Sequence, residues 1–258
     1  MSSSVLLSLV LLSWSFTQVM AQDAPLPEGV AIVSAYGYPN CWELRNAQTR
    51  VVIDPNAGGR VMAYEWDGVN VIYEDPAHDG WDLSQGHRPP GGYFCGGRFD
   101  VGPSHIKPNT ENLFFGPWEA KALGPYHIGL TSLADTLTGL QLRREFELDS
   151  SGSRLLISQR MINISERTVR ACYWGRTFAV GGGICLVPLN PQSRFPRGYV
   201  IHGPDKVIDY QPDTRNLRVE DGLLVIRDTP VRPKFEMDPV EGWLAYLTPK
   251  DRLLVKRF

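Results

Sequence analysis

Apolar and polar residues alternate along most of this chain in short runs that stop at Gly, Pro or Asp. Trp42-Glu43-Leu44-Arg45 is followed by Arg50-Val51-Val52-Ile53-Asp54, then by Gly58 to Trp66 and by Val69-Asn70-Val71-Ile72-Tyr73. Alternation puts one side of a run into a core and the other toward solvent or a ligand, so each run predicts a strand. Asp67-Gly68 between the last two runs predicts a tight hairpin, because both residues tolerate the positive φ of such a turn. Gly139 to Leu148 alternates cleanly, Asp149 to Ser153 predicts a turn, and Arg154 to Ile164 predicts the returning strand. Cys172 to Phe178 predicts one more.

No stretch holds an apolar stripe at the helical period over three turns. The 20 prolines and 25 glycines, well scattered, also argue against long helices. The expected fold class is therefore all-β, an antiparallel sandwich of many strands. There is no repeat, no low-complexity linker and no shift of composition, so residues 22–258 read as one domain.

The first residues differ from the rest. Val5 to Leu12 is apolar, the run extends through Trp14 and Phe16, and it ends at Val19-Met20-Ala21, a small-x-small cleavage pattern. Residues 1–21 are expected to be a signal peptide, with Gln22 as the mature N-terminus, although no Lys or Arg precedes the apolar run. The other reading is a buried N-terminal strand or helix. A leader implies a periplasmic or secreted protein. No other stretch approaches the ~18 apolar residues of a membrane span, so no transmembrane helix is expected.

Composition narrows the function. A hydrophobic share of 43% is ample for a core. The net charge of −2, with basic residues spread among acidic ones, lacks the basic stripe of a nucleic-acid binder. The four cysteines are Cys41, Cys95, Cys172 and Cys185. Export permits disulfides, with Cys172 and Cys185, close in sequence around a glycine turn, as the first candidate pair; four buried free thiols are the alternative. No pair has CxxC spacing. Leu253 to Phe258 has the pattern of a strand interior, which leads us to expect that further strands follow it.

Arg50 to Pro55, Gly58-Gly59-Arg60-Val61-Met62-Ala63-Tyr64 and Val69 to Tyr73 together resemble the opening hairpin of galactose mutarotase-like (aldose 1-epimerase) domains. Gly139 to Asn163 resembles their paired strands, and Cys172 to Phe178 falls where that fold places an active-site strand. Trp174-Gly175-Arg176-Thr177-Phe178, Val187-Pro188-Leu189-Asn190 and Ser193-Arg194-Phe195-Pro196 are most similar to a subfamily of exported bacterial proteins of unknown function. The resemblance covers residues 28–258 and implies an antiparallel β-supersandwich with a sugar-type cleft across a concave face. It also implies that the chain is truncated at the C-terminus.

The same resemblance counts against epimerase chemistry. Those enzymes need a general acid His on the active-site strand and a general base Glu near the C-terminus. Gly175 and Arg176 stand where the His would be, and Arg cannot give up a proton near neutral pH. The base Glu would lie beyond Phe258.

The candidate ligand residues are Arg98, His105, Trp118, Trp174 and Arg176. Arg98, His105 and Trp118 belong to a segment, Gly96 to Glu119, that lines the cleft in the resembling fold. An indole stacks on the apolar face of a pyranose and a guanidinium forks onto hydroxyls or a carboxylate, so the expected ligand is a saccharide or an acidic saccharide. The bland alternative makes Trp118 a core residue and Arg98 half of an ion pair. Trp174 and Arg176, two apart on a strand, share a face while Tyr173 takes the other; a cation–π stack that merely closes a sheet is the alternative.

Asp75, His78, Asp79, Asp82 and His87 invite a metal reading, but their spacing matches no motif and none is expected to hold a metal. His127 and His202 stand alone, and Asn163-Ile164-Ser165 is a formal glycosylation sequon. Gly181-Gly182-Gly183 lacks the Lys and helix of a phosphate loop, and nucleophilic-serine and dinucleotide signatures are absent, so no cofactor is expected. The expectation is an exported carbohydrate-binding or carbohydrate-processing protein without standard epimerase chemistry. The alternatives are a carbohydrate-active enzyme, either an epimerase or a polysaccharide lyase-like one drawing on Arg98, Arg176, Tyr173 and His105, and a structural envelope domain with a vestigial cleft.

Overall fold

A computed structural model describes residues 25–86, 95–103, 111–203, 207–212, 215–227 and 234–258. The expected leader, residues 1–21, together with His87 and His105, lies outside these residues. In chain order the first strands are β1 (Val30–Ala35), β2 (Tyr38–Arg45), β3 (Thr49–Asp54), β4 (Arg60–Trp66), β5 (Val69–Asn70) and β6 (Gly97–Gly102). A short helix, α1 (Glu111–Phe115), precedes β7 (Trp118–Gly124), β8 (His127–Ser132), β9 (Leu140–Leu148), β10 (Leu155–Asn163), β11 (Cys172–Thr177) and β12 (Ile184–Pro188). The chain continues through β13 (Tyr199–His202), β14 (Ile208–Asp209), β15 (Leu217–Glu220), β16 (Leu223–Ile226), β17 (Lys234–Met237), β18 (Trp243–Leu247) and β19 (Leu253–Arg257). Strand makes up 52% against that one helix, so the class is all-β.

The strands form four antiparallel sheets. The first runs β1-β2-β3-β4-β6-β11, with β5 off β4; the second runs β10-β9-β8-β7. The third runs β15-β16-β12-β18-β19 and the fourth β14-β13-β17. Local chemistry sets the hairpins. Trp66 pairs with Val69, so Asp67 and Gly68 alone make the turn, at φ 47° and 75°. Two positive φ values match the right-handed twist of the flanking strands. Leu148 pairs with Leu155 across the Asp149–Ser153 turn, as the alternation predicts.

Two predicted boundaries move. Gly58 and Gly59 precede β4 rather than belonging to it. Both are left-handed, and a Cβ on Gly58 would collide with the Phe114 carbonyl. The run Val69 to Tyr73 is a strand only to Asn70; Ile72 then makes a single bridge to Ala179.

The first and second sheets pack face to face as a sandwich. Leu44, Val51, Ile53, Val61, Phe99 and Val101 from the first meet Ile128, Leu130, Leu142, Phe146 and Leu148 from the second. Alternation explains the choice: these residues are in phase, and their neighbours face away. A smaller core of Tyr199, Leu217 and Leu224, with Phe235 and Met237, joins the third and fourth sheets. All four cysteines are free thiols. The candidate Cys172–Cys185 bridge is thus not formed: Cys172 lies on β11 of the first sheet and Cys185 on β12 of the third, so closeness in sequence is not closeness across a ladder.

The sandwich core yields the first prediction. Phe146 is fully buried. Phe146→Ala should cost about 3–5 kcal/mol in urea unfolding, the usual loss for a deleted core aromatic. A loss below about 1 kcal/mol would mean the two sheets are not packed through it.

Candidate functional site

The pairing of β6 with β11 builds the site. Trp174 faces Asp100, Arg176 faces Arg98 and Cys172 faces Gly102. Side chains alternate, so these six residues share the outer face of the first sheet, while Phe99 and Val101 enter the sandwich core. Arg98 Nη2 donates to Asp100 Oδ2 at 2.9 Å, and Arg176 Nε meets the same oxygen at 2.8 Å. The Arg176 guanidinium carbon lies 4.6 Å from the Trp174 ring centre. A Cβ on Gly102 would stand 2.8 Å from the indole, so glycine is what lets the ring lie against this strand.

Charge on this face is balanced rather than absent. Asp54 pairs with Arg60 across β3 and β4, and the Val61–Gly97 register brings Arg60 level with Arg98. Asp54, Arg60, Arg98 and Arg176 therefore form a row across four strands, with Asp100 as the second carboxylate. Burial pulls the Arg98 guanidinium below its usual range, and its like-charged neighbours Arg176 and Arg60 add to that; Asp100 works the other way. Burial also opposes the charge on Arg60, but Asp54, Cys95 and Tyr38 outweigh it, so its pKa rises. Arg60 Nη2 donates to Asp54 at 3.0 Å and to the Tyr38 hydroxyl at 3.1 Å.

Of the sequence-derived candidates, Arg98, Trp174 and Arg176 converge. Arg98 and Asp100 are buried, whereas Trp174 is 38% exposed and the Arg176 side chain 32% exposed, so the last two alone can meet a ligand. Among the described residues the terminal amino groups of Arg176 make no hydrogen bond. Trp118 stands apart from them. It is 4% exposed within the sandwich core, with its indole N–H on the Leu113 carbonyl, so it offers no stacking face. His105 is outside the described residues. Tyr173 faces the opposite side of β11, 5.4 Å from the Phe99 ring, so a lyase-like set of Arg98, Arg176 and Tyr173 does not assemble on one face.

The acidic loop has other work. Asp75 accepts from the Ala77 amide and Asp82 from the Ser84 amide, each capping a short 3₁₀ turn. His78 is buried, its Nδ1 2.8 Å from Cys95 Sγ, and that sulfur lies 3.3 Å from Arg60 Nη1. No three His, Cys, Asp or Glu side chains among the described residues converge as a metal site would require. His202 pairs with Glu236 at 2.9 Å and His127 lies 3.9 Å from Glu145. Asn163 Oδ1 accepts from the amide and hydroxyl of Ser165.

Four residues escaped the sequence reading, two of them with a signal that could have found them. Asp100 holds both arginines, and its signal was the Arg-x-Asp spacing of Arg98 and Asp100, same-face neighbours on a strand. The Asp54–Arg60 pair left no local signal, because its partners sit in different strands. Arg144 was visible: it falls in phase with Leu140, Leu142, Phe146 and Leu148, a polar residue on a buried row. Compared with family models, curated proteins and solved structures, the chain matches none.

Two outcomes follow from this electrostatics. Asp100→Asn removes the carboxylate that faces the buried Arg98 and should cost about 3–5 kcal/mol in urea unfolding; a change within about 0.5 kcal/mol would show that the carboxylate does not hold the arginines. Glu74 tests the acidic loop. Burial, with Asp79 beside it, raises its pKa from 4.5 to about 7. The folded chain thus binds a proton that the unfolded chain has released, and this stability is complete below about pH 4.5 and lost as pH rises through about 7. Unfolding midpoints measured across that window should fall for the wild type and less steeply for Glu74→Gln; identical slopes would refute the assignment.

Proposed function

We propose that the chain is an exported saccharide-binding protein of the mutarotase-like kind, whose ligand meets Trp174 and Arg176 on the outer face of β11. The observation behind this reading is the bracing of Arg176. Its Nε is held by Asp100 and its plane lies against Trp174, while its terminal amino groups stay uncommitted. A guanidinium fixed in this way loses little side-chain freedom when it forks onto sugar hydroxyls or a carboxylate. Trp174 adds an exposed apolar edge beside that fork, which suits the amphipathic surface of a pyranose.

Binding is favoured over turnover. Neither an indole nor a guanidinium exchanges protons near neutral pH, and the Asp100 carboxylate is occupied by two cations. An acidic saccharide fits better than a neutral one, because the row holds Arg60, Arg98 and Arg176 against Asp54 and Asp100.

Calorimetry of the purified protein against neutral and acidic oligosaccharides tests the proposal. Trp174→Ala should cost on the order of 1–3 kcal/mol of binding, as an interface anchor does. Arg176→Lys should also weaken binding, because a point charge cannot replace a fork. Absence of heat with every saccharide, or wild-type affinity in Trp174→Ala, would overturn the assignment.

A further inference from the structure

A second group of polar side chains lies on the opposite face of β11, and none of it contributes to the Trp174–Arg176 platform. Arg144 sits at the centre. It belongs to the inward row of β9, between Leu142 and Phe146, and is 2% exposed. Arginine in a sandwich core normally brings a carboxylate with it, since an unpaired buried charge is costly. Arg144 has none. Its Nη1 donates to the carbonyls of Gly59 at 2.6 Å and Gly97 at 3.1 Å, its plane lies 4.7 Å from the Phe146 ring centre, and its buried Nε has no partner.

A second cation stands nearby. Gly97, which accepts from Arg144, is the cross-strand partner of Thr177, and Lys256 Nζ lies 3.1 Å from the Thr177 hydroxyl. Lys256 shares the inward side of β19 with Leu254, which packs against the sandwich core. Among the described residues Lys256 also lacks a carboxylate partner. Burial first, and the Arg144 charge second, lower its pKa, while burial brings Arg144 down to about 10. The carboxylate whose charge reaches Arg144 is Asp100, which is on the outer face and already holds Arg98 and Arg176. Tyr173 completes the group. It is half exposed, and its hydroxyl folds back over Gly175, where any Cβ would collide with it.

We infer that Arg144, Lys256, Thr177 and Tyr173 form a binding site for an oxyanion, a carboxylate or phosphate group that enters from the Tyr173 side. The protein itself leaves two neighbouring cations uncompensated, and supplies two hydroxyl donors beside them. A bound oxyanion would offset charge at both cations, accept from Lys256 and take a hydrogen bond from the Tyr173 phenol. The site does not depend on the saccharide reading, because it uses the other face of β11 and shares no side chain with it.

The test is a thermal-unfolding series on the full chain at constant ionic strength, with chloride as the reference anion and inorganic phosphate or glucuronate as the probe. Phosphate and glucuronate arms distinguish a free phosphate from the carboxylate of an acidic sugar. A saturable rise in Tm with either probe is expected. Lys256→Met should weaken the apparent affinity for that probe about tenfold or more, consistent with losing one charge-assisted contact. Tyr173→Phe should weaken it by a smaller factor. Lys256→Met keeps the question open to refutation if Arg144→Met fails to fold. No rise over chloride with either probe, or an equal rise in wild type and Lys256→Met, would overturn the inference. Loss of the rise in Trp174→Ala would instead assign the anion to the outer face.

Discussion

One carboxylate, Asp100, holds the outer face of the central sheet together. Its Oδ2 takes a hydrogen bond from Arg98, which is buried, and an ion pair from Arg176, which is not. Desolvation works against the charge on Arg98, so the guanidinium stays where it is because a carboxylate faces it. That same contact fixes β11 against β6 at side-chain level and aims Arg176 across Trp174. The packing beneath and the exposed groups above both depend on the balance struck at this oxygen.

The rest of the arrangement is alternation applied to one sheet. Every second residue of β3 and β6 enters the sandwich core, while β4 shifts phase at a bulge, so that Val61 and Tyr64 face that core and Met62 and Ala63 join Val52 in a second apolar cluster. Beside that second cluster the polar residues of the outer face pair with one another: Asp54 with Arg60, and Asp100 with Arg98 and Arg176. Buried polar networks are tolerable when their members find partners, and costly when they do not. By that measure the outer face leaves Arg60 Nε and Asp100 Oδ1 without a hydrogen-bond partner among the described residues, and the inner face leaves Arg144 Nε.

Arg98 and Arg144 make an instructive contrast. Both are buried arginines one strand-face apart, and burial lowers both. Arg98 has a carboxylate; Arg144 has two backbone carbonyls and an aromatic ring. Neutral acceptors satisfy donors without cancelling charge, which is why the second arginine points to an absent anion and the first does not.

The all-β class, the Asp67-Gly68 hairpin and the paired strands either side of Asp149–Ser153 were legible along the chain, because alternation and turn chemistry act between residues near in sequence. So was the division of Trp174 and Arg176 from Tyr173, which follows from strand geometry alone. The boundary at Arg60 was not, since it depends on Phe114 crowding Gly58 from a distant segment. The placement of Trp118 in the core, the separation of Cys172 from Cys185 and the sharing of Asp100 between two strands were likewise decided by tertiary structure. Each depends on which strands become neighbours, and β6 and β11 meet only after the chain has built α1 and the whole second sheet between them. Sequence determines which residues can face the same way; the pairing of distant strands, driven by burying the apolar rows, decides which charges end up sharing an oxygen.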